Sequence, residues 1–303
     1  MVDQQNIEPS ARTPLKYYGG KQKLVGRLLP LLPKHDIYVE AFGGSGALLF
    51  AKQPARVEVF NDLDIEVVNF FRVLRTPSLA LQLRHKLELT PYARQEHEDC
   101  RNAVDADDNP VERAWRFFLL IRQSRDGIVG GSWRYSKTSD GISPFYKSLD
   151  LLDQACRRLR NVYIENRDFE RVVRVWDGPD TFVYLDPTYL AESRAAPSVY
   201  RRELCNEDHT RLLQMVVELQ GKVILSGYAS HIYDDALDKW TRIELRTKCW
   251  STPIKSGNGS GAKADRTEVI WMNPAAIDAQ NRGAVETLVS ENKANTAANV
   301  SPA

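Results

Sequence analysis

The passage that most restricts what this chain can fold into runs from Ile37 to Phe50. A short strand, Ile37 to Ala41, feeds directly into FGGSGALLF, Phe42 to Phe50, which reads as a glycine turn opening a helix. Strand, glycine turn and helix in that order belong to an open α/β sheet, and they aim backbone N–H groups at a bound nucleotide. The glycines do not complete G-x-G-x-x-G, because Leu49 stands where the third would fall, so the dinucleotide signature is weak.

The rest of the chain repeats the alternation. A second strand, Arg56 to Phe60, ends at NDLD, and Asp62 lies at the offset of a carboxylate that grips ribose hydroxyls. It is equally placed to cap the following helix, Ile65 to Leu74, and both roles are compatible. A helix over Leu151 to Leu159 leads to a strand, Val162 to Glu165, whose end carries Asn166, Arg167, Asp168 and Phe169. Asn206 opens a helix with Glu207 and Asp208 in its first turn, where they complement the helix dipole. Lys222 to Leu225 is a further strand, and Thr241 to Leu245 with Glu268 to Met272 form a terminal hairpin. The fold expected is α/β, with a mostly parallel sheet and an antiparallel last pair.

Within this frame YLDPTYL, Tyr184 to Leu190, stands out. The run Thr181 to Val183 carries a strand into Asp186 and stops at Pro187. That turn places a carboxylate, a proline carbonyl and the Tyr189 ring at a strand's carboxyl end, the edge where open α/β sheets bind ligands. Asp-Pro turns after buried strands are common, so the turn alone defines no site. The early stretch PLKYYGGKQKL, Pro14 to Leu24, adds a Gly-Gly pair suited to close backbone approach and a cation, Lys21.

From Thr90 to Tyr146 the pattern changes. Between Arg113 and Lys147 basic residues recur, among them Arg122, Arg125, Arg134 and Lys137, against only Asp126 and Asp140 as acids. Trp133, Tyr135, Phe145 and Tyr146 are interleaved with them, a mixture that suits phosphate neutralisation and base stacking. A net charge of +1 means that nucleic-acid binding must come from such a local patch. The N-terminus has neither the basic nor the apolar segment of a signal peptide, and the apolar runs are too short for a bilayer, so a cytoplasmic protein without a membrane partner is expected. Four scattered cysteines with no CxxC pair support neither a metal site nor a disulfide framework.

Taken together, YYGGK, FGGSG, an acidic strand end, a basic insertion, DPTY and a terminal strand resemble the adenine-specific DNA methyltransferases of the DNA adenine methylase family, over about Pro14 to Asn273. The resemblance implies a Rossmann-like methyltransferase sheet with a smaller, mainly helical target-recognition domain inserted in it. It implies S-adenosylmethionine as cofactor and duplex DNA as partner, with a monomer or weak dimer as the working form. The catalytic Asp-Pro-Pro-Tyr is matched by Asp186, Pro187 and Tyr189. The cofactor residues implied are Tyr18, Lys21, Phe42, Gly43, Ser45, Gly46, Asp62, Asp168, Phe169 and Asp186. Those implied for DNA are Arg122, Arg125, Trp133, Arg134 and Lys137, and no metal is required.

The domains expected are a flexible N-terminus over 1–13, a cofactor-binding body over 14–89 and 151–273, the inserted region over 90–150 and a disordered tail over 274–303. A mobile loop over Ala191 to Tyr200 and a flexible basic segment over 251–266 complete the outline. Thr188 departs from the family's second proline. Proline would fix φ and remove a donor, so threonine restores an N–H and loosens the turn. A homologue that binds DNA without catalysis is therefore one alternative reading. Methylation of cytosine N4 in DNA is another, because the same turn can serve another exocyclic amine, and Asp rather than Ser at position 186 argues for adenine. A nicotinamide-dependent oxidoreductase is a third, disfavoured by the missing glycine.

Overall fold

The computed structural model describes residues 11–17, 19–103, 109–190, 202–248 and 265–282. Its centre is a seven-stranded sheet made of β1 (Ile37–Glu40), β2 (Val57–Asn61), β3 (Val162–Glu165), β4 (Thr181–Leu185), β5 (Lys222–Gly227), β6 (Thr241–Lys248) and β7 (Asp265–Met272). The spatial order is β3-β2-β1-β4-β5-β7-β6. The first five strands in that order pair in parallel, while β7 runs antiparallel to both β5 and β6. The expected terminal hairpin is present, with β7 wedged between its neighbours.

Alternation along the strands builds a core on each face. Tyr38, Phe60, Phe182, Tyr184 and Ile224 point to one side, with Val67, Phe70, Phe71 and Leu74 of helix Ile65–Arg75. Val39, Val59, Val183, Leu185, Val223 and Leu225 point to the other, against helices Phe169–Trp176 and Asn206–Val216. A period of two sorts the strand residues this way, and a sheet covered on both faces needs both sets apolar. Every residue of β4 is buried accordingly. The strand order reverses between the parallel neighbours β1 and β4, because the chain winds to one edge after β1 and to the other after β4, and such a switch point leaves a crevice at the carboxyl ends.

The 90–150 region is helical over Arg94–Asn102, Pro110–Gln123 and Ser143–Leu149. It has a small apolar cluster of its own, Cys100, Leu119 and Leu120, but most of its buried residues join the main core. Phe117, Phe118, Ile121, Phe145 and Leu149 belong to the same apolar cluster as Phe70 and Phe182. Phe118 stacks on Phe70 with ring centroids 5.6 Å apart. The basic residues that drew attention to this stretch lie on and after a helix whose other face is apolar, and that face is drawn into the main core.

Two expectations about the termini are corrected. Ala11, Thr13 and Leu15 are buried, and the Thr13 hydroxyl donates to the Ser45 carbonyl at 2.5 Å, so residues 11–13 are tethered; 1–10 lie outside the described residues. Residues 274–282 are helical, not a tail. Asn273 accepts from the Ala276 and Val223 amides at 2.9 Å each, and Ala276 and Ala279 are buried. An alanine-rich composition looks like a linker, yet small side chains let a helix pack closely. The remaining tail, the loop over 191–200 and nearly all of 251–266 fall outside the described residues. Among the described residues no helix is long and apolar enough to cross a membrane.

If Pro110–Gln123 belongs to the main core, Phe118→Ala should cost about 3–5 kcal/mol. Urea unfolding followed by circular dichroism should then show one transition at lower midpoint, whereas an early, separate transition would mean an independent domain.

Candidate active site

The glycine turn after β1 is shaped by contacts only glycine permits. A Cβ on Gly43 would fall 2.1 Å from the Phe60 ring, and Gly46 has φ of 66°, in the left-handed region. Gly46 therefore opens helix Ala47–Ala51 without lining the cleft, while Phe42, Gly43 and Ser45 line it. Asp62 ties the turn to the end of β2. Its Oδ2 accepts from the Gly44 amide at 2.7 Å and its Oδ1 from the Asp64 amide at 2.8 Å. Burial pushes its carboxyl up to about 6. The helix cap is Asp64, which accepts from the Glu66 amide at 3.0 Å, so the capping role considered for Asp62 falls to its neighbour.

Asn61, buried at the same strand end, binds three loops together. Its amide donates to the carbonyls of Ala41 at 2.9 Å and Arg167 at 3.0 Å, and its carbonyl accepts from the Arg167 amide at 2.9 Å. This fixes Asp168 and Phe169 beside Phe42, whose ring lies 5.3 Å from that of Phe169. Asp168 caps helix Phe169–Trp176 and receives a two-pronged contact from Arg211, at 2.9 and 2.8 Å. The Arg211 guanidinium also covers the Phe169 ring at 4.6 Å. Sequence reading missed Arg211, which lies 43 residues beyond Asp168. It also missed Glu40, which lines the cleft with one oxygen held by the Tyr38 hydroxyl at 2.8 Å and the Leu49 amide at 3.1 Å. Burial pushes the Glu40 carboxyl up to about 8.

At the end of β4, Asp186 is oriented through one oxygen. Its Oδ1 meets the Lys21 ammonium at 2.7 Å and the Ser226 hydroxyl at 2.9 Å, and Ser226 in turn meets the Tyr184 hydroxyl at 3.1 Å. Lys21 reaches Glu268 at 3.0 Å and donates to the Tyr189 hydroxyl at 2.5 Å. The Tyr189 hydroxyl donates to Glu268 at 2.8 Å, and its ring packs on Tyr228 with centroids 4.1 Å apart. Burial works against the Lys21 charge, but Asp186 and Glu268 outweigh it and hold the ammonium well above its ordinary range. Burial also raises the Asp186 carboxyl; Lys21 opposes this and Glu268 reinforces it. Pro187 is buried beside the turn. Thr188, where a proline was expected, accepts from the Leu204 amide at 2.9 Å, so the turn gains a tertiary tie in place of a rigid ring.

These groups surround one cleft of about 170 Å³, which brings together Lys21, Phe42, Asp62, Phe169, Asp186 and Tyr189. Tyr18 lies outside the described residues. The expected DNA residues do not line the cleft. Arg122 donates to the Pro144 carbonyl, and burial followed by the nearby Arg134 lowers its guanidinium to about 10. Burial and then Arg134 and Arg122 lower the Lys16 ammonium as well, which places a further cation in this cluster, next in sequence to cleft-lining Tyr17. Trp133 lies under the Arg94 guanidinium at 4.7 Å and stacks with Tyr135. Arg125 and Lys137 are exposed nearby in sequence. Among the described residues no group of His, Cys, Asp and Glu is arranged to hold a metal.

A crevice at the switch point of a mostly parallel α/β sheet, lined by a glycine turn, an acidic strand end and an oriented carboxylate, is the setting in which the family is read. The chain belongs to the D12 class of N6 adenine-specific DNA methyltransferases, whose family model matches residues 17–248. It is 28% identical over 282 residues to the type II methyltransferase M1.LlaDCHI of Lactococcus lactis subsp. cremoris, covering 85% of this chain and 94% of that protein. It is 25% identical over 202 residues to the modification methylase StsI of Streptococcus sanguinis, covering 59% of this chain and 29% of that one. A DNA adenine methylase of Vibrio cholerae serotype O1 is 26% identical over 191 residues, covering 60% and 66%.

Two outcomes follow from this geometry. Glu40 holds its proton more tightly folded than unfolded, so its contribution to stability is full below about 4.5 and is lost as pH rises toward about 8. Glu40→Gln should flatten that part of the stability-versus-pH curve measured by urea unfolding. Thr188→Val should cost about 1 kcal/mol through the unpaired Leu204 amide, and Thr188→Ser should restore it.

Proposed function

We propose that this chain transfers a methyl group from S-adenosylmethionine to the N6 amine of adenine in duplex DNA, with the target base turned out of the helix. The observation that carries the reading is the state of Asp186, which is anchored through Oδ1 while it lines the cleft beside Pro187 and Tyr189. The cleft fits the cofactor: a glycine turn that a Cβ would block, an acidic strand end at Asp62, and facing rings at Phe42 and Phe169. Phe42, Gly43, Ser45, Asp62, Asp168 and Phe169 would hold it, with Lys21 at the reacting end. S-adenosylmethionine, when bound, supplies an already activated methyl group.

The chain's own task is then placement and charge. The adenine amine is a poor nucleophile because its lone pair is delocalised into the ring. Acceptors at the Asp186 side chain and the Pro187 carbonyl favour the form with that pair freed for attack, and fixed alignment lowers the barrier further. Tyr189 would stack on the flipped base. Residues 14–89 and 151–273 form the catalytic part in this reading, and 90–150 the part that meets DNA. There Arg122, Arg125, Arg134 and Lys137, joined by Lys16 from the N-terminal stretch, neutralise phosphates, and Trp133 offers a stacking surface.

Purified protein given S-adenosylmethionine with a labelled methyl group and unmethylated duplex DNA should yield labelled N6-methyladenine, and Asp186→Ala should abolish it. Label on cytosine, or none while cofactor and DNA both bind, would overturn the proposal.

A further inference from the structure

We propose that Glu268, on β7, is a positioning residue for methyl transfer: it fixes the Lys21 ammonium and the Tyr189 ring against Asp186. The inference rests on the function proposed above. Glu268 lies beyond the residues that the family model matches, which end at 248. Its place comes from the sheet, because β7 inserts beside β5 with Val269 opposite Gly227, next to the strand that carries Ser226.

A carboxylate 4% exposed is costly to keep unless it is paired. Among the described residues, the partners of Glu268 are groups that line the cleft. One oxygen receives both the Lys21 ammonium at 3.0 Å and the Tyr189 hydroxyl at 2.8 Å. Lys21 closes the ring by donating to Tyr189 and meeting Asp186. Two consequences follow. The Tyr189 ring is held by its hydroxyl and by packing on Tyr228, so the stacking surface is set before DNA arrives. Lys21 is also shared between two carboxylates, so it cannot give its full attraction to Asp186, which remains a better acceptor for an amine.

The groups that face Asp186 make its titration readable. Lys21 from the N-terminal turn, Glu268 and Tyr189 act on it, as do Tyr184 of β4 and Glu40 of β1, while Ser226 of β5 donates to it. Glu268 contributes the second negative charge beside the lysine and raises the Asp186 carboxyl. Its removal therefore lowers that carboxyl.

The test compares the natural protein with Glu268→Gln and Glu268→Asp in the methyl-transfer assay across pH, with cofactor affinity measured separately. Glu268→Gln should lower kcat about tenfold to a hundredfold, the scale of a small misplacement, with little change in cofactor affinity. The acid limb of its kcat profile should move to lower pH, and Glu268→Asp should recover part of the rate. A loss of kcat with an unmoved acid limb, or no loss at all, would overturn the inference.

Carbon NMR titration of the Asp186 carboxyl, assigned with Asp186→Asn, gives a second reading that needs no turnover. The signal should titrate at lower pH in Glu268→Gln, and an unchanged titration overturns the proposal even if the natural protein transfers no methyl group. In that last case the failed assay counts against the methyltransferase reading, and the titration alone decides the role of Glu268. Should Glu268→Gln not fold, Tyr189→Phe cuts the hydroxyl link while leaving every buried charge. It should lower kcat with the acid limb in place, and an undiminished kcat would overturn the proposal.

Discussion

One ammonium buried between two carboxylates is the constraint around which this site is arranged. Lys21 is 6% exposed, and a charge so enclosed persists only where opposite charges and hydrogen bonds replace its water. Three segments must converge to supply them: the N-terminal turn, the end of β4 and the middle of β7. The glycine pair before Lys21 lets that convergence happen. A Cβ on Gly20 would meet the Ser45 hydroxyl and the Tyr17 carbonyl at 3.0 Å each, a tight fit that would push the turn carrying the lysine a few tenths of an ångström off the glycine loop.

The carboxyl ends of β1, β2 and β4 then divide the work. β1 and β2 meet at Asp62 and Asn61, which hold the glycine loop and the Asp168 turn through backbone groups. These are contacts to main chain, so they set loop shape independently of side chains further out. β4 instead presents a side chain, Asp186, held by lysine and serine hydrogen bonds. A rigid cradle and a charged, adjustable point thus lie side by side along one sheet edge.

Much of this was legible in the sequence where the signal is local. The glycine turn, the acidic strand end, the Asp-Pro turn and the run of strands each occupy a few adjacent residues, and their order implies a parallel sheet. What escaped depends on sheet order. Glu268 and Tyr189 are 79 residues apart, and only the insertion of β7 beside β5 makes them neighbours. Arg211 was hidden in the same way, on a helix whose apolar face explained its pattern. The cap at Asp64 lost to Asp62 because both are acids in one short turn, and only the strand's exact end decides between them. Residues 110–123 read as part of a basic insertion since charge is visible in sequence, whereas the neighbour of Phe118 is not.

The position of β7 also bears on how the chain is made. Strand β5 is complete by Gly227, but its free edge is paired by β7, at Asp265–Met272, and among the described residues β6 pairs only with β7. During synthesis β5 is therefore an open edge and β6 a strand without a sheet until β7 emerges, an interval in which β5 is open to wrong pairing. The same strand delivers Glu268 to Lys21. Closing the exposed edge and completing the charge network are thus a single event, which waits on β7.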